Sequence, residues 1–136
     1  FLEYKDKWAI VLALTSNASA YQFQNAVKDG KPLYQAVMEE MMEISTPDNM
    51  MFVVGATKAD KLQELRSFCP DNFFLVPGVG AQGGTVEEVA KYGLNQHCGL
   101  LVNSSRGIIF ADSSENFAVV AGEKARELAE QMAPYV

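Results

Sequence analysis

The sequence is poor in the residues from which metal, redox and nucleophilic sites are usually built. It holds one histidine and two cysteines in 136 residues. Cys69 and Cys98 form no CxxC pair, and His97 alone cannot complete a zinc ligand set, so neither a metal nor dithiol chemistry is expected. The two cysteines are expected to be half-buried free thiols in a reducing cytosol. There is no Ser-His-Asp or Cys-His arrangement, and His97, beside Asn95 and Gln96, reads as a surface residue away from any site. Cations are scarce as well. Eleven Lys+Arg stand against 17 Asp+Glu, a formal charge of −6, with a pI near 4.7. Phosphate backbones repel such a surface, so no nucleic-acid partner is expected, although one local cation can bind one small anion. No apolar run approaches the roughly 20 residues of a membrane span, so no membrane partner is expected. The opening Phe-Leu-Glu-Tyr-Lys-Asp-Lys is no signal peptide, and the missing initiator methionine is read as a missing upstream segment. Length excludes a complete (β/α)8 barrel, which takes about 250 residues. Half of one is not excluded.

What is present is a globular composition, 49% hydrophobic and 21% charged, enough for one core. No linker or low-complexity tract divides it. Trp8 to Leu14 is a continuous apolar run, expected as a strand buried on both faces. Tyr21 and Phe23 alternate with glutamines ahead of a turn at Lys28 to Lys31, which predicts a small hairpin or an irregular excursion. Pro32, taken as the first helical residue, opens a helix to about Ser45. Its apolar stripe is Tyr34, Val37, Met38, Met41 and Ile44, read as core filling. Met51 to Val54 is a second buried strand. Thr57 and Asp60 resemble a capping box for a helix to Phe68 that buries Leu62, Leu65 and Phe68. Phe73 to Val76 is a third strand, followed by a glycine-rich loop from Pro77 to Gly84. Thr85 and Glu88 form another capping box, for a short helix to Tyr92 with Gly93 just beyond it. Cys98 to Val102 is a fourth strand. Asp112 to Ser114 then cap a final helix with Phe117, Val120, Ala121, Leu128 and Met132 facing inward. Trp8 and Tyr4 read as packing residues.

Strand and helix thus alternate four times, which predicts an α/β fold with a parallel sheet. An open doubly wound sheet and consecutive units of a barrel both fit. Both bind ligands at the carboxyl ends of the strands. Here those ends carry Thr15-Ser16-Asn17, Gly55-Ala56-Thr57, the glycine loop and Asn103 to Gly107, all small and polar. The opposite loops carry Pro-Asp-Asn, which stops helices.

Several residues at these ends could do chemistry. Gly78-x-Gly80-x-x-Gly83 matches a dinucleotide fingerprint, but it follows a third strand, and Asn103 stands where an acidic residue would end the next. It reads either as a structural turn or, preferred here, as an anion cradle at a helix N-terminus, with Gln82 as a side-chain donor. Arg106 is the only Arg at a predicted strand end. Its guanidinium fork suits a phosphate, and a solvated surface charge is the alternative. Ser16 and Asn17 could read the edge of a polar heterocycle, or simply form a turn. Lys58, Asp60 and Lys61 follow the second strand.

VLALTSN, FVVGATKADKLQELR, FLVPGVGAQGG and GLLVNSSRGIIFA, in that order and over nearly the whole chain, resemble the C-terminal half of the orotidine 5′-phosphate decarboxylase family, most closely its longer bacterial branch. The resemblance implies residues 1–136 as four β/α units, the C-terminal half of a single (β/α)8 TIM barrel domain. It implies a cytoplasmic homodimer that needs no metal or organic cofactor and turns orotidine 5′-monophosphate into uridine 5′-monophosphate and carbon dioxide, in pyrimidine biosynthesis. By the same resemblance Gln82 and Arg106 hold the substrate phosphate, with backbone N–H groups near Gly83, Gly84, Ser105 and Arg106. Ser16 contacts the pyrimidine, and Pro77 borders the ribose and base. Ala18-Ser19 departs from the Pro-Gly of many relatives. The family's Asp-x-Lys-x-x-Asp signature is absent, so no catalytic residue is expected in this chain, and the partner it needs is the N-terminal half. The alternatives are a non-catalytic phosphate- or nucleotide-binding module and a barrel relative acting on another sugar phosphate.

Overall fold

A computed structural model of the chain describes residues 1–80 and 83–136. Runs of branched and aromatic side chains form its long strands, because such residues pack well on a pleated surface. The first is β1 (Ala9–Leu14). A short helix, α1 (Ala20–Phe23), carries Tyr21 and Phe23 in exposed positions. The expected hairpin follows it, β2 (Val27–Lys28) against β3 (Lys31–Pro32). Asp29 and Gly30 turn the hairpin with φ of 53° and 81°, the pair of left-handed residues that a tight two-residue hairpin demands.

The next helix, α2, spans Leu33–Glu43. Pro32 is not its first residue, contrary to expectation. It precedes the helix with ψ of 142° and pairs with Val27, so the hairpin holds it extended. Tyr34 and Met38 are buried, but Ile44 lies past the helix end and is largely exposed. After β4 (Met50–Val54) comes a 3-10 turn at Ala56–Lys58, then α3 (Ala59–Phe68). Thr57 therefore sits inside the turn and is not the helix cap. Leu62 and Leu65 are buried as expected, and Phe68 packs partly buried beside them.

β5 (Phe73–Pro77) and the glycine loop lead into α4 (Val86–Gly93). Its capping box forms as predicted. Thr85 Oγ1 accepts from the Glu88 N–H at 3.1 Å, and the Glu88 carboxylate accepts from the Thr85 N–H at 3.4 Å. Gly93 is the last helical residue rather than the one beyond. β6 runs Leu100–Asn103. It starts two residues later than the apolar pattern implied, because Cys98 and Gly99 have φ of 67° and 66° and cannot extend a strand. Two helices close the chain, α5 (Arg106–Ile109) and α6 (Phe117–Met132). The cap of α6 is Asn116, not Asp112 to Ser114.

The four long strands make one parallel sheet in the order β1-β4-β5-β6, so strands and helices alternate as predicted. Val11, Phe52, Phe74 and Leu100 share a row across it. That face lies in the core with Met38, Leu62, Leu65 and Val89, and Phe52 and Phe74 have no exposure. The other face is open: Ile10, Leu12 and Leu101 are 50%, 60% and 49% exposed. The expectation that the first strand is buried on both faces therefore fails. It is an edge strand, and the helices cover one side only. Nor does α6 turn its apolar residues into a core. It buries none of them, Phe117 is mostly exposed, and Leu128 and Met132 only flank the main cluster.

The amino ends of the strands are organised by Arg66. Its Nε donates to the Gly93 carbonyl at 2.6 Å, Nη1 to Asn72 at 2.6 Å, and Nη2 to Gly99 at 2.7 Å. Cys69 beside it is fully buried rather than half-buried, while Cys98 is partly exposed. Trp8 packs edge-on against Phe73 at 6.2 Å, but Tyr4 is exposed and packs little.

Candidate functional site

Parallel strands bring all four following loops to one end of the sheet. The glycine loop there has its own backbone reasons for glycine. Gly78, Gly80 and Gly83 have φ of 93°, 80° and 91°, which side chains with a β-carbon rarely adopt. The loop closes on itself: the Gly80 N–H donates to the Gly84 carbonyl at 2.8 Å, and the Gly83 N–H to the Gly80 carbonyl at 3.1 Å. The Gly83 N–H thus helps to close the loop. Gln82 lies outside the described residues.

The glycine loop and the loop after β6 are joined at their roots. Pro77 pairs with Asn103 in the sheet, and the Gly78 N–H donates to the Asn103 carbonyl at 3.3 Å. Between them lies a cleft of about 150 Å³, lined by Pro77, Gly78, Val79 and Asn103 to Arg106. Ser105 and Arg106 begin α5, where the first N–H groups have no partner within the helix. Ser105 Oγ is 3.4 Å from Asn103 Oδ1. Arg106 is exposed, and none of the four ion pairs among the described residues includes it. A guanidinium with no carboxylate partner, beside a small polar cleft, is suited to an anion. The two features that the sequence reading paired are thus neighbours in space.

The Ser16 loop borders the turn after β4. Ser16 Oγ is buried and is without a hydrogen-bond partner among the described residues. Asn17 behaves differently. Its Oδ1 accepts from the Thr15 hydroxyl, and its Nδ2 donates to Ser19 Oγ at 2.5 Å. The Gln24 side-chain carbonyl accepts the Thr15 N–H at 2.8 Å and braces the same loop. Asn17 thus takes part in the turn, while the Ser16 hydroxyl is unsatisfied among the described residues.

Other candidates lie elsewhere. Lys61 pairs with Glu64 at 2.6 Å, and the Tyr34 hydroxyl donates to the same carboxylate at 2.9 Å. The Lys61 hydrogen bond holds the Glu64 carboxyl below its ordinary range. His97 is exposed at the opposite end of the sheet, in a hollow with Trp8 and Asp71. A hollow of about 350 Å³ between the hairpin and α2 is lined by Asp29, Glu39, Glu40 and Glu43, a hostile surface for an anion. Among the described residues no group of three His, Cys, Asp or Glu could hold a metal ion. Sequence reasoning treated Gly55-Ala56 only as part of a loop. Its closeness to Ser16 and to Gly84 is a tertiary contact, for which small residue size was the one available signal.

No family model matches the chain. It is 53% identical over 133 residues to an orotidine 5′-phosphate decarboxylase of Christiangramia forsetii, across 98% of this chain and 49% of that protein. It is 50% identical over 133 residues to the enzyme of that name from Phocaeicola vulgatus, across 97% and 49%. Among solved structures, the OMP decarboxylase of Leishmania donovani superposes with a TM-score of 0.75 at 30% identity, over 96% of this chain and 50% of that one. The chain spans about half the length of the curated relatives it matches.

Proposed function

Because this chain belongs with the orotidine 5′-phosphate decarboxylases over the half of their length that it spans, we propose that it is the phosphate- and base-binding half of such an enzyme. Residues 1–136 are then the C-terminal half of one (β/α)8 barrel domain. The whole protein converts orotidine 5′-monophosphate to uridine 5′-monophosphate and carbon dioxide. Arg106 and Gln82 hold the 5′-phosphate, helped by backbone N–H groups near Gly83, Gly84, Ser105 and Arg106. Ser16 meets the pyrimidine, Pro77 borders the ribose, and Asn17 shapes the Ser16 loop.

The observation that carries this reading is the cleft joining Pro77 to Arg106, in a chain about half identical to proteins of that name. A phosphate gripped there is remote from the reacting carbon. Its binding energy positions the ring and offsets the strain of bringing the carboxylate into an unfavourable site. The lysine that protonates the ring carbon, and the carboxylates that crowd the leaving group, belong to the other half, since Asp-x-Lys-x-x-Asp does not occur here. No metal or organic cofactor enters the proposed reaction. A cytoplasmic homodimer completes the proposal, resting on the family resemblance.

Carbon dioxide release from orotidine 5′-monophosphate tests it. The 136-residue chain alone is expected to release none. The chain joined to a polypeptide carrying Asp-x-Lys-x-x-Asp is expected to turn over. A folded, joined protein without turnover would refute the proposal.

A further inference from the structure

One two-residue turn touches both loops of the candidate site. Gly55 is buried, and its N–H donates to the Leu14 carbonyl at 2.8 Å, which pins the turn to the end of β1. A β-carbon at Gly55 would stand 2.2 Å from Ser16 Oγ and 3.0 Å from the Ser16 nitrogen. Its φ does not require glycine, so space does. The next residue, Ala56, is 1% exposed. A β-carbon at Gly84 would stand 2.6 Å from Ala56 Cβ and 2.9 Å from the Ala56 carbonyl oxygen. Gly84 in turn accepts the Gly80 N–H that closes the glycine loop. Ser16, Gly55, Ala56 and Gly84 are therefore one run of close contacts, from the buried hydroxyl to the loop beside Arg106.

We propose that Gly55-Ala56 is a rigid spacer that sets the distance between the base-reading hydroxyl of Ser16 and the phosphate-holding glycine loop. It thereby selects a nucleoside monophosphate over a bare phosphate or a shorter sugar phosphate. The inference rests on the nucleotide reading above and adds two positioning residues to it. Neither touches the ligand. Interiors this closely packed shift neighbouring groups instead of compressing, so a methyl group added at Gly55 moves the Ser16 loop, and a methyl removed at Ala56 loosens the glycine loop.

Calorimetric titration of the full-length enzyme containing this chain tests it, with uridine 5′-monophosphate and inorganic phosphate as separate ligands. Gly55→Ala is expected to weaken the nucleotide by at least about tenfold while leaving phosphate within about twofold. Ala56→Gly adds no atom and is expected to weaken phosphate by about threefold. In a Ser16→Ala background the 2.2 Å contact is gone, so the further loss from Gly55→Ala should shrink to below about threefold. An undiminished loss in that background, or equal weakening of nucleotide and phosphate by Gly55→Ala, overturns the spacer. If Gly55→Ala does not fold, recovery of folding in Ser16→Ala/Gly55→Ala supports it, and unchanged phosphate affinity in Ala56→Gly overturns it. Wild-type protein that binds neither ligand sinks the nucleotide reading and the spacer with it. Binding by wild type with unaffected variants sinks the spacer alone.

Discussion

The guanidinium of Arg66 lies 3.8 Å from the centroid of the Phe74 ring. Its hydrogen bonds run to the carbonyls of Gly93, Cys69, Pro70, Asn72 and Gly99. One side chain thus ties together the carboxyl ends of α3 and α4, the loop before β5 and the entry to β6. These carbonyls are the groups a helix end and a tight loop leave unsatisfied, and the planar fork meets several at once. Burial pushes its pKa down to about 10, so it stays charged at neutral pH.

Arg66→Lys keeps the charge but loses the fork and the flat stacking surface. Buried carbonyls are then left without donors, at roughly 1–3 kcal/mol each in the worst case. The variant is expected to lose about 2–4 kcal/mol of stability in a urea titration. Unchanged unfolding would show that water serves these carbonyls equally well.

Cys69 has no exposure, its thiol lies 3.3 Å from Asn72 Oδ1, and burial raises its pKa to about 11. The native chain at pH 8 is expected to react with one equivalent of a thiol reagent, at Cys98, and with a second only after unfolding. The raised pKa also sets a sign. The folded state prefers the protonated thiol, so its contribution is whole below about 9 and is lost as pH rises toward about 11. That loss amounts to roughly 3 kcal/mol at most. Prompt labelling of Cys69 in the native state would contradict both statements.

No ion pair among the described residues includes Arg106, so Arg106→Ala should leave the melting temperature almost unchanged. In the full-length enzyme it is expected to lower kcat/KM for orotidine 5′-monophosphate by roughly ten- to 150-fold. That is the scale of a charged hydrogen bond, roughly 1.5–3 kcal/mol. Steady-state kinetics beside a thermal melt separates this from a folding defect, and an unchanged kcat/KM would remove Arg106 from the site.

The open face of the sheet makes a further prediction. Ile10, Leu12 and Leu101 present an apolar surface on a sheet whose edge strands, among the described residues, are β1 and β6, an arrangement that drives association in water. The 136-residue chain by itself is expected to elute as oligomers in size-exclusion chromatography. Leu12→Ser, on the open face, should shift it toward monomer without loss of helical content. A wild-type chain that is monomeric at micromolar concentration would refute this.

By itself the sequence determined the alternation of strands and helices, because buried strands leave continuous apolar runs and helices leave a 3.6-residue stripe. It also determined the capping box at Thr85 and Glu88, a strictly local contact. The positions of Arg106 and the glycine loop were legible, since parallel strands put their following loops at one end. What it could not express was which faces are covered. Ile10 and Leu12 look like core in a hydrophobic run, yet they lie on the open face of an edge strand. Cys98 looks like strand, yet its left-handed backbone delays the strand to Leu100. The closeness of Gly55 to Ser16, and of Gly84 to Ala56, was decided only by tertiary structure. Whether a glycine is needed for its φ or for the space beside it depends on atoms distant in sequence, and Gly80 and Gly84, four residues apart in one loop, answer that question in opposite ways.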